Sequence, residues 1–88
     1  MATVILNHKV VDYNTWRPYF DADVQRRNSA GLKEIKIGRN SKDPNHIFMI
    51  FEAADPARVA GMMNNDAELK EVMKKAGVIN PPEVVILD

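Results

Sequence analysis

The run from His46 to Ala53, His-Ile-Phe-Met-Ile-Phe-Glu-Ala, limits what this chain can become more than any other stretch. It is short and apolar, with Asp43-Pro44-Asn45 before it and Asp55-Pro56 after it, the pattern of a buried strand between turns. Strand side chains alternate between the two faces of a sheet. One face here carries Ile47, Met49 and Phe51; the other carries Phe48 and Ile50. Both faces are apolar, so both need cover. Helices of the same chain can supply it on one side only.

The remaining elements follow in order. Thr3 to Val11 reads as the first strand, with Val4, Leu6, His8 and Val10 on one face and Ile5, Asn7, Lys9 and Val11 on the other. Pro18 must fall early in the helix that follows, which places the cap at Asn14 or Thr15. Trp16, Phe20 and Val24 share one stripe of that helix, with Tyr13 and Arg27 at the same angle, and Gly31 stops it. Leu32 to Arg39 is the second strand, with Ile35 and Ile37 pointing one way. A turn-rich loop, Asn40 to Asn45, leads into the third. Asp55 and Pro56 open the next helix, and Asn64-Asn65-Asp66 interrupts it. Asn65 and Glu68 have capping-box spacing for a restart, Gly77 ends that segment, and Glu83 to Leu87 is the last strand.

Strand, helix, strand, strand, helix, strand is the order of a split βαβ repeat. The expected fold is α+β and ferredoxin-like: one domain over residues 1–88, a four-stranded antiparallel sheet with the first and third strands central and the helices on one face. The other face then lies bare, and a contiguous apolar patch marks an association site. Two-fold pairing of sheet on sheet covers it, so a homodimer through the open face is expected.

Several function classes are excluded by what the chain lacks. Twelve basic residues balance twelve acidic ones, and no strand carries the basic aromatic signature of an RNA-binding sheet, so no nucleic-acid partner is expected. No apolar run approaches the ~20 residues of a membrane span. Zero cysteines remove disulfides, thiolate metal sites and cysteine nucleophiles, and favour a cytoplasmic location.

Lys9-Val10-Val11-Asp12-Tyr13-Asn14-Thr15-Trp16, Asp43-Pro44-Asn45, Phe51-Glu52-Ala53-Ala54-Asp55, and Ala76-Gly77-Val78 with Pro81-Pro82 together resemble the dimeric α+β barrel proteins, in particular small bacterial chains described as cyclase-like or uncharacterised. The resemblance spans nearly the whole chain, but its motifs are structural. It implies a cavity between helices and sheet in each subunit. Because that superfamily holds cyclases, cofactor-independent monooxygenases and haem proteins, it selects no reaction.

The candidate site residues are few. His8 and His46 are the only histidines, and antiparallel pairing of the first and third strands puts them near one end of the sheet, close to Tyr13. A histidine–tyrosine set suits proton abstraction beside a carbonyl. The plainer reading makes His46 a solvated strand-end residue and His8 a hydrogen-bonded one. Trp16 and Phe20 are core aromatics that can also wall an apolar ligand pocket, and Arg27 is a snorkelling stem or an anchor for a ligand carboxylate or phenolate. No metal site is expected, since the histidines and carboxylates lack ligand spacing, and no cofactor is implied. Two functions compete: a small-ligand protein with cyclase- or monooxygenase-like activity, and a non-catalytic dimeric association module.

Overall fold

The computed structural model describes residues 1–88. Its elements are β1 (Ala2–Lys9), α1 (Tyr13–Ala22), α2 (Val24–Ser29), β2 (Leu32–Asn40), β3 (Asp43–Ala53), α3 (Pro56–Asn65), α4 (Ala67–Lys75) and β4 (Glu83–Leu87). The sheet is four-stranded and antiparallel, in the order β2-β3-β1-β4, with the helices on one face. The two central strands are the first and the third. No helix is long and apolar enough to cross a membrane.

Register decides which side chains meet the helices. Leu6 pairs with Met49, Val4 with Phe51 and His8 with Ile47, so these residues share the helix-side face, and all are buried. Trp16 of α1, Val59 of α3 and Leu69 of α4 close over them. The opposite face carries Ile5, cross-paired with Ile50 on one side and Val85 on the other, with Phe48, Leu87 and Asn7 around them. Phe48, Val85 and Leu87 are exposed, Val85 by 50%.

Several boundaries differ from expectation. β1 ends at Lys9, because Val10 leaves the sheet to bridge Val78, and the Val11 N–H donates to the Gly77 carbonyl. Val11 therefore lies outside the open face, 70% exposed. The first helix begins at Tyr13 with Asp12 as N-cap, so Pro18 falls inside it rather than in its first turn. A proline there removes one backbone donor, and the helix ends at Ala22, with Asp23 between it and α2. Val24, expected on the buried stripe, is 42% exposed beyond that break. β2 has a register shift between Glu34 and Lys36; Ile37 packs on the core and Ile35 is 50% exposed. β3 starts at Asp43, because Asn40 pairs with Asp43 and only two residues connect the strands.

The breaks that the sequence places correctly have clear caps. Asp55 Oδ1 accepts from the Ala57 N–H at 3.1 Å, with Pro56 first in the helix. The restart is capped by Asp66 and not by Asn65: Asp66 Oδ1 accepts from the Leu69 N–H at 3.0 Å. At the end of α4, the Gly77 N–H reaches the Lys74 carbonyl and the Val78 N–H the Met73 carbonyl, which requires the left-handed backbone of Gly77 at φ +87°. Gly31, at φ +75°, ends α2 in the same conformation.

Candidate active site

The α1 and α4 faces do not close completely on the sheet. Between them lies a cavity of about 80 Å³, floored by Leu6, Met49 and Phe51, walled by Trp16 and Phe20, and flanked by Met62, Met63 and Met73. Thirteen of its eighteen lining residues are hydrophobic, so the few polar groups on its surface stand out.

His8 is the polar group of the interior. It is 3% exposed, lines the cavity, and its Nδ1 is buried with no hydrogen-bond partner. Trp16 meets it edge-on, ring centroids 5.5 Å apart. Burial disfavours the charged ring and pulls its pKa down to about 4; the nearby His46 lowers it further, against a backbone hydrogen bond that raises it. At neutral pH the ring is uncharged, so Nδ1 can accept from a hydroxyl or, in the other tautomer, donate to a carbonyl. An orphaned polar atom in an apolar wall is costly, of order 1–3 kcal/mol, and a ligand group opposite it would remove that cost.

The mouth of the cavity is charged. Arg26 at the start of α2 joins Asp23 at 3.1 Å, Asp66 at the cap of α4, and Glu68 at 3.1 Å. One guanidinium thus ties α2 to the first turn of α4. Its charge partners hold the Arg26 pKa above the ordinary arginine value against some desolvation, and the Asp66 carboxylate sits below its own, mainly through the Leu69 N–H. Arg27 also lines the cavity and lies over the Phe20 ring, 3.8 Å from its centroid.

The structure gathers some of the candidate residues and separates others. His8, Trp16, Phe20 and Arg27 share the cavity. His46 pairs with Lys9, one register step from His8, but projects from the opposite face of the sheet. There its Nε2 lies 3.0 Å from Asn7 Oδ1 and its ring 4.6 Å from Phe48. His8 and His46 therefore share an end of the sheet but not a site. Tyr13 touches Trp16, centroids 5.9 Å apart, yet does not line the cavity. Its hydroxyl accepts from Arg17 at 3.3 Å and Arg39 covers its ring at 4.0 Å. Sequence reasoning missed Arg26, which lines the cavity, and its partner Asp66, which does not. Their partnership joins residues forty apart, and no local signal announces it.

The "Putative antibiotic biosynthesis monooxygenase" from Bordetella bronchiseptica superposes with a TM-score of 0.77 over 99% of this chain and 94% of its own, at 13% identity. This chain carries a ferredoxin-like α+β fold, a four-stranded antiparallel sheet with its helices on one face. A protein with the same designation from Caulobacter crescentus matches at TM-score 0.71 and 13% identity, over 99% and 87% of the two chains. Atu4242 from Agrobacterium tumefaciens matches at 0.69 and 15%, over 100% and 92%. At these identities the likeness is one of fold. No family model matches the chain. No curated protein matches it either.

Proposed function

We propose that the protein is a homodimer in which each subunit holds a small aromatic molecule in the helix–sheet cavity beside His8, and oxidises it with dioxygen. The observation that carries this reading is the buried, unpartnered Nδ1 of His8 beside a largely apolar, aromatic-walled space. The designation of the structural neighbours supports oxygenation as the reaction. A single-ring phenol fits the polarity: its ring lies against Trp16 and Phe20 and its hydroxyl donates to His8. Phenol and dioxygen give quinone and water, one oxygen atom entering the ring and the other leaving as water, with all electrons supplied by the phenol. The hydroxyl proton becomes strongly acidic as the ring loses an electron, so a weak neutral imidazole suffices to take it.

The dimer rests on the open face. Ile5, Phe48, Ile50, Val85 and Leu87 form its apolar centre. Lys33 and Lys36 lie on the β2 side and Glu83 on the β4 side. Covering even ~500 Å² of apolar surface per subunit contributes on the order of ten kcal/mol before association costs, at ~25 cal/mol per Å².

The single tryptophan, Trp16, makes the test direct, because it lines the cavity and meets His8. Single-ring phenols titrated into the protein should change its emission saturably, at one equivalent per subunit, and the His8→Phe variant should lose the response. No saturable change up to millimolar concentration across such a panel would overturn the reading. The small cavity volume of about 80 Å³ favours the alternative, an association module without a ligand, and the same negative titration would be its support.

A further inference from the structure

Four side chains of the cavity wall touch in file. Arg27 lies over Phe20 at 3.8 Å; Phe20 stacks on Trp16, centroids 4.8 Å apart and planes 28° from parallel; Trp16 meets the edge of His8 at 5.5 Å. The file begins in a cation and ends in a neutral imidazole, with only aromatic surface between. The cation is unneutralised. Arg26 next to it takes three carboxylates, but Arg27 is in none of the chain's ion pairs. Its Nη1 donates to the Phe20 carbonyl at 2.7 Å, which fixes the guanidinium at the cavity and leaves most of its five N–H groups free. Burial pushes its pKa down, and Glu34, Asp23 and Asp21 offset this only at longer range. Asp23, the carboxylate that lines the cavity, is held by Arg26.

We propose that the cavity selects a single-ring aromatic anion, with its carboxylate paired to Arg27, its ring against Phe20 and Trp16, and its hydroxyl or carbonyl hydrogen-bonded to His8 Nδ1. This rests on the cavity being a ligand site and narrows its ligand to one class. The volume limits the ligand to one ring: about 80 Å³ is well below the ~300–1,000 Å³ of sites for drug-sized molecules. Flanking methionines, with flexible stems, can yield enough for a ring to enter. The guanidinium gives the sign. A planar donor fork matches a carboxylate in two parallel hydrogen bonds, which a neutral amide cannot reproduce.

The test compares 4-hydroxybenzoate with 4-hydroxybenzamide, alike in shape and different in charge, by calorimetric and Trp16 fluorescence titration of the intact protein at pH 7.5. The wild type should bind the benzoate at least about tenfold more tightly, the factor expected of one charge-assisted hydrogen bond. Arg27→Gln should abolish the preference, and Arg27→Lys should keep part of it. If both ligands bind the wild type equally, the cavity reading stands and the anion proposal falls. A preference that survives in Arg27→Gln also overturns it, since the charge would then be recognised elsewhere. If neither ligand binds, both readings fall. Should Arg27→Gln not fold, the wild-type pair and Arg27→Lys decide: an undiminished preference in Arg27→Lys contradicts the fork.

Discussion

Acid should weaken this protein through one residue in particular. His8 is buried at the junction of sheet and helices, and its pKa is pulled from 6.5 to about 4, chiefly by desolvation. The fold holds the neutral ring, whereas the unfolded chain takes up a proton near pH 6.5. The stability due to this difference is complete above that pH, falls as the pH drops toward 4, and is gone below it. At about 1.4 kcal/mol per pH unit the full loss is about 3 kcal/mol, a large fraction of the ~5–15 kcal/mol that holds a domain folded. The perturbation is His8→Phe, which keeps an aromatic ring against Trp16 and removes the titrating group. Urea unfolding followed by circular dichroism from pH 8 to pH 4 should show the wild type losing about 3 kcal/mol more than the variant, with the divergence beginning near pH 6.5. Subtraction removes the titrating groups that both chains carry. Parallel pH profiles would refute the reasoning: they would mean that His8 is solvated or finds a proton acceptor in the fold.

Other perturbations probe the remaining parts of the account. Ile50→Lys puts a charge at the centre of the open face, where Ile50 cross-pairs with Ile5, and sedimentation velocity at micromolar concentration should then show a folded monomer in place of a dimer. A dimer that persists would place the interface elsewhere. Gly77→Ala forces a side chain into the left-handed region at φ +87° where space itself is ordinary, 3.6 Å to Val11 Cβ. It should cost about 1 kcal/mol and lower Tm by about 4–8 °C, read by scanning calorimetry.

Much of the fold was readable because apolar period is a strong signal. Alternation in β1 and β3 gave both sheet faces, Asp55-Pro56 and Gly77 marked helix ends, and the strand order followed from element order. The misses share a cause: they depend on contacts distant in sequence. Nothing near Asp23 shows that the first helix breaks there, and the irregularity at Ile35 exists only because β2 must stay in register with β3. The histidines teach the same lesson. Antiparallel pairing correctly set His8 and His46 at one end of the sheet, but their faces depend on which alternation of β3 meets Val4 and Leu6. The set containing Ile47 does, so His46 turns outward with Phe48. Arg27 keeps its place beside Phe20 despite the break, because its guanidinium reaches back to the Phe20 carbonyl.

His8 Nδ1 is buried beside the cavity without a partner, and in the proposed function it finds one in a bound aromatic ligand. Nitrogen-15 magnetic resonance of the imidazole reads this atom directly. At pH 7 the His8 ring should be neutral, and its Nδ1 resonance should move on addition of 4-hydroxybenzamide, a ligand with no charge to confuse the effect. A ring already protonated at that pH, or an Nδ1 resonance that stays fixed while the ligand saturates Trp16 emission, would contradict the account.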